Sequence, residues 1–71
     1  MSEINSRVGL KIREHRLKKG WSQERLGLEA GLHRCYIGQI ERGDKNIGLH
    51  NLEIIAKALA ITIQSLFENA D

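Results

Sequence analysis

Apolar residues in this chain return at intervals of three and four, and β-type alternation is nearly absent, so the pattern predicts helices throughout. A first helix is expected from about Ile4 to Lys19, where Ile4, Val8 and Ile12 recur every four residues and Leu17 extends the stripe. Lys18 and Lys19 suit the negative end of its dipole, Gly20 stops it, and Trp21 plugs the turn. Ser22 is a good N-cap for a second helix, Gln23 to about Ala30, with Leu26 and Ala30 facing inward. Gly31 then supplies a left-handed C-terminal residue. A third helix runs from about His33 to Arg42, with Ile37 and Ile40 toward the core and Gly43 at its end. The loop "GDKNIG" leads to a fourth helix, Leu49 to Leu59, with Leu49, Leu52, Ile55, Ala56 and Leu59 on one side and Gly48 as a weak cap. Thr62 caps a short fifth helix through Glu68, in which Ile63, Leu66 and Phe67 are apolar.

This pattern predicts a compact all-α, five-helix domain spanning 1–71, with no Pro, low-complexity tract or internal repeat. A chain of this size buries only about 60% of its unfolded surface, so the core is small. Ile54, Ala58, Ile61, Ile63 and Phe67 lie partly off the main stripes. They either enlarge that core or form a dimer patch at 54–68, and the small core favours the patch.

Cysteine and histidine usage changes the picture little. Cys35 is the single cysteine, which rules out an internal disulfide and fits a reducing, cytoplasmic compartment. Cys35, His15, His33 and His50 lack metal-ligand spacing, so no metal or other cofactor is expected. The N-terminus carries no apolar run of the signal-peptide kind, and nothing approaches a membrane span.

Charge is more informative. The net charge is +2, but residues 7–45 hold ten Lys/Arg against five Asp/Glu, whereas residues 46–71 carry a balance of −2. Such asymmetry points to a polyanion at one end of the domain, or to an ordinary solvated helical surface.

Two helices joined at a glycine, the second polar at its start, describe a helix-turn-helix over about 22–42. The stretch "SQERLGLEAGLHRCYIGQIERG" resembles the λ-repressor/Cro-type helix-turn-helix, the XRE family. The resemblance extends from "KIREHRLKKGWSQ" through "NLEIIAKALAITIQSLF". The run "LHRCYIGQIERGDKNI" is most similar to the small controller proteins of restriction–modification systems, with "L-x-R-x-Y-I-x-x-I-E-R" followed by a basic residue and Asn. Where this family usually has Ala at the helix crossing, the chain has Gly27, at a cost of about 1 kcal/mol in helix propensity.

With Ile37 and Ile40 facing in, Arg34, Cys35, Gly38 and Gln39 are left facing out. A rigid helix with a polar start suits the DNA major groove. The resemblance implies base reading by Arg34, which could engage guanine O6 and N7 or else hold a phosphate or a surface salt bridge. Cys35 could touch a thymine methyl, and Gln39 could read adenine. His33 either meets a phosphate or starts the helix. Ser22 and Gln23, through their backbone N–H groups, and Tyr36, Arg42, Lys45 and Asn46 are candidate phosphate contacts, each of which could instead be solvated surface. Asp44 weakens the potential beside Lys45. Arg16 and Glu41 match a structural ion pair of the family, joining the first and third helices.

The resemblance implies a homodimeric transcription regulator of double-stranded DNA on an inverted-repeat operator, repressing by occlusion or activating through RNA polymerase. It would lie on the nucleoid when bound to DNA, with no membrane or small-molecule ligand involved. An alternative is an antitoxin-like interaction module that binds a partner protein through the C-terminal apolar residues. A redox switch at Cys35 lacks a second thiol within the chain. No catalytic constellation emerges that would make the protein an enzyme.

Overall fold

In a computed structural model, which describes residues 3–68, the chain forms α1 (Glu3–Lys18), α2 (Gln23–Ala30), α3 (Arg34–Arg42) and α4 (Leu49–Leu59). A single 3-10 turn, Gln64–Phe67, follows. The extreme residues of the expected 1–71 domain lie outside the described range. The expected fifth α-helix is therefore a correction. The Ser65 amide donates to the Thr62 carbonyl and the Leu66 amide to the Ile63 carbonyl, i to i+3 closures that wind the chain at about three residues per turn rather than about 3.6. Ile63 rather than Thr62 is its N-cap, without a side-chain cap hydrogen bond, while the Thr62 hydroxyl accepts from the Ser65 amide at 3.2 Å.

The other boundaries follow local chemistry. The Ser22 hydroxyl accepts from the Arg25 amide at 3.0 Å and starts α2. At the other end of α2, Gly31 takes φ 71°, ψ 30° and turns the chain into α3. His33 lies outside α3 as its N-cap, with Nδ1 accepting from the Cys35 amide at 3.0 Å. Gly48 opens α4 with no side-chain cap, and α4 ends on Ala60 at φ 59°.

One core joins the helices. Val8 and Ile12 from α1, Leu26 from α2, Ile37 and Ile40 from α3, and Leu52, Ile55, Ala56 and Leu59 from α4 are buried together with Leu66. Each fully buried Ile or Leu contributes about 1.5–3 kcal/mol through removal of apolar surface from water. Helix α1 packs mainly on α3, α2 packs on α3 and α4, and the 3-10 turn returns to α1.

Three expected core positions fall outside. Ile4 and Leu17 are 42% and 51% exposed. The four-residue rhythm of α1 instead continues from Ile12 to Arg16, which is buried because it has a buried acidic partner. Leu49 is 82% exposed, since α4 enters the core only at Leu52. Gly38, expected to face out, is buried, with the Gln23 and Arg42 side chains over it.

Two glycines set the helix spacing. A Cβ at Gly9 would stand 2.2 Å from the Ile40 carbonyl oxygen, so α1 and α3 meet backbone to backbone. A Cβ at Gly27 would stand 2.5 Å from the Leu32 carbonyl oxygen, closer than even an alanine tolerates. The turn folds back on Gly27, whose carbonyl accepts from the Leu32 amide at 2.8 Å.

Gly9→Ala and Gly27→Ala are each expected to destabilise the fold by about 1–3 kcal/mol through overpacking, although alanine is the better helix former. Urea unfolding midpoints measure this, and an unchanged or raised midpoint contradicts it.

Candidate nucleic-acid interface

The exposed face of α3 depends on what holds that helix in place. Arg16 and Glu41 form a buried, two-pronged ion pair, with Nε to Oε2 at 2.7 Å and Nη2 to Oε1 at 3.0 Å. Arg16 Nη1 also donates to the Trp21 carbonyl at 2.7 Å, and Gln23 Nε2 donates to Glu41 Oε1 at 3.1 Å. One network thus ties α1, the α1–α2 turn, the start of α2 and the end of α3. Among the described residues no buried side-chain polar atom lacks a partner. The Arg16–Glu41 contact that the family resemblance implies is formed, and it is buried. Trp21 closes the same corner from outside, with Lys19 Nζ 5.1 Å and the Arg25 guanidinium 5.0 Å from its ring centre.

On the side of α3 away from Ile37 and Ile40, Arg34, Cys35 and Gln39 share a shallow depression with Gln23, Gly38 and Arg42. Arg34 and Cys35 are exposed and Gln39 is half-buried. The structure therefore gathers the three expected base readers on one face and mounts them over Ile37 and Ile40, which are buried.

The arginines of this face are held by acids of their own surface. Arg34 Nη1 lies 3.4 Å from Glu24 Oε2, with both side chains about two-thirds exposed, at 64% and 65%. Arg42 Nε lies 2.8 Å from Asp44 Oδ2. Asp44, beside Lys45, thus pairs with Arg42. Exposed pairs of this kind are worth about 0–1 kcal/mol, so both guanidiniums are readily released to a stronger anion.

The expected phosphate contacts surround the face. Ser22 caps α2 with its hydroxyl, so its side chain is engaged locally. The Gln23 side chain is likewise engaged, by Glu41. His33 is the N-cap of α3. Lys45 is exposed, and Asn46 accepts a hydrogen bond from Asn5 of α1. Tyr36 is half-buried, and its hydroxyl accepts from Asn51 of α4 at 3.0 Å. Neither Asn5 nor Asn51 is marked by any sequence pattern, because each partner is distant along the chain.

The C-terminal candidates divide. Ala58 and Ile61 pack against the core and Ile54 is half-buried, whereas Ile63 and Phe67 are 37% and 44% exposed. No helix among the described residues is long and apolar enough to cross a membrane, and these residues contain no His/Cys/Asp/Glu group able to hold a metal ion.

Two short helices at a glycine turn, with one polar face held outward, define a helix-turn-helix protein. The helix-turn-helix family model matches residues 12–66, and the chain belongs to that family. Its relatives include control protein C.BamHI of Bacillus amyloliquefaciens, 48% identical over 68 residues that cover 94% of this chain and 84% of that protein. Control protein C.SmaI of Serratia marcescens is 39% identical over 64 residues, covering 90% of this chain and 76% of its own. Among solved structures, the restriction-modification controller protein C.AhdI from Aeromonas hydrophila superposes with a TM-score of 0.86 at 43% identity, over 89% of this chain and 96% of that one.

Removing one partner of the buried pair, as in Glu41→Ala, is expected to cost about 3–5 kcal/mol, because it strands the Arg16 charge. Arg16→Met combined with Glu41→Leu should recover most of that loss. Denaturant unfolding of the wild type, Glu41→Ala and the double variant checks it; a double variant as unstable as Glu41→Ala would contradict it.

Proposed function

We propose that the protein is a sequence-specific, DNA-binding transcription regulator of the restriction–modification controller kind, acting as a homodimer on an inverted-repeat operator. The observation that carries this reading is the face of α3, with Arg34, Cys35 and Gln39 on one side and Ile37 and Ile40 anchored on the other. Its membership of the helix-turn-helix family, with control proteins as relatives, supports the same reading.

In the proposed complex the N-terminal end of α3 enters the major groove. Arg34 leaves Glu24 to engage guanine O6 and N7, Gln39 reads adenine, and Cys35 packs on a thymine methyl. Ser22 and Gln23 offer backbone amides to phosphate. His33, Tyr36, Arg42, Lys45 and Asn46 flank the groove as phosphate contacts. Ile63 and Phe67 form the exposed centre of the dimer patch, edged by Ile54, Ala58 and Ile61. Two copies then place their reading helices about 34–36 Å apart, one turn of DNA. Occlusion of a promoter represses, and contact with RNA polymerase from an upstream site activates.

Selection of sites from random duplex DNA by the purified protein tests the proposal. An enriched inverted repeat with half-sites one turn apart is the expected result. No enrichment, together with a partner protein that copurifies tightly, favours the interaction-module reading instead.

On the selected site, Arg34→Ala is expected to lose about 1–3 kcal/mol and relax preference at one base pair, whereas Arg42→Ala weakens all sequences and flattens the salt slope by about one. Titrations of cognate and scrambled duplexes over a salt series separate the two; uniform weakening by Arg34→Ala removes its base-reading role. Phe67→Asp places a charge in the apolar patch and should shift the protein toward monomer in sedimentation; an unchanged profile removes Phe67 from the interface.

A further inference from the structure

The Tyr36 hydroxyl is joined to a residue outside the helix-turn-helix. Asn51, in the first turns of α4, donates its Nδ2 hydrogen to Tyr36 Oη at 3.0 Å, and both side chains are half-buried. A phenol oxygen has one hydrogen to give and lone pairs to receive. An amide N–H is a donor only, so the Asn51 contact occupies a lone pair of Oη and turns the hydroxyl hydrogen away from α4. Among the described residues the Asn51 amide is the one hydrogen-bond partner of this hydroxyl.

We propose that Asn51 is a positioning residue for DNA binding: its amide fixes the Tyr36 hydroxyl as a hydrogen-bond donor, with the free hydrogen directed to a backbone phosphate oxygen. A phosphate can only accept from this hydroxyl, so a rotor already committed to donation needs no reorganisation on binding. The inference rests on the DNA-binding reading above. It extends the interface from α2 and α3 to α4, through a residue 15 positions from its partner.

The variants Asn51→Ala, Asn51→Asp and Tyr36→Phe, and the combination of Tyr36→Phe with Asn51→Ala, test it. The probe is the duplex enriched by wild-type protein, at near-physiological salt, with a thermal unfolding midpoint for each variant. Asn51→Ala and Tyr36→Phe should each weaken binding about five-fold, the scale of one net hydrogen bond. The combined variant should bind no more weakly than Tyr36→Phe alone, because the two residues act through one hydrogen bond to DNA. Asn51→Asp should bind more weakly than Asn51→Ala, since a carboxylate accepts the phenol hydrogen and turns it away from the phosphate.

Binding by Asn51→Ala equal to wild type overturns the proposal, as does an equal further loss in the Tyr36→Phe background. A lowered unfolding midpoint with unchanged affinity also overturns it, by showing a structural role only. Those results leave the DNA-binding reading standing. Failure of the wild-type protein to enrich any duplex removes that reading and this inference together.

Discussion

The position of α3 depends on the buried contact between Arg16 and Glu41. Two opposite charges out of water are costly unless every donor and acceptor is used. Here Arg16 reaches both carboxylate oxygens and the Trp21 carbonyl, and Gln23 completes Glu41. An apolar contact at this place would tolerate sliding of one helix over another. The paired fork and carboxylate tolerate little, because displacement breaks several bonds at once. The same four groups therefore set the angle at which α3 leaves the core and the point at which α2 begins.

Close backbone approach reinforces this arrangement. At Gly9 and Gly27 the neighbouring carbonyl oxygens occupy the space of a side chain. A small domain has little apolar volume to spend on separating its helices. Letting backbones touch brings Val8, Ile12, Ile37 and Ile40 into one cluster while leaving the far side of α3 clear. Anchoring and exposure of α3 are thus two results of one packing geometry.

Surface charge works on a different scale. Glu24 and Asp44 hold Arg34 and Arg42 in exposed pairs that contribute little to stability. Such weak, exposed pairs leave the guanidiniums exchangeable for a more highly charged partner. In the proposed complex the buried pair supplies the geometry and the exposed pairs supply the adaptable contacts.

Much of this was legible in the sequence, because it is local. Helix periodicity, the Ser22 cap, the left-handed Gly31 and the burial of Ile37 and Ile40 are encoded within a few residues of where they act. The position of Arg34, Cys35 and Gln39 on one face follows from helical spacing. Leu17 and Leu49 were misread because periodicity describes one helix and cannot show where its neighbours end. Gly38 was misread for the same reason, since the side chains that cover it come from Gln23 on another helix and from Arg42. The short segment after Ile63 has an apolar pattern suited to a helix, but only tertiary docking of Leu66 decides that one tight turn suffices. Sequence by itself determined the helices, their order and the polarity of their faces, which are properties of residues a few positions apart. Tertiary structure alone decided the contact of Gly9 with Ile40, the pairing of Asn5 with Asn46 and that of Asn51 with Tyr36, because these join residues whose separation along the chain carries no period.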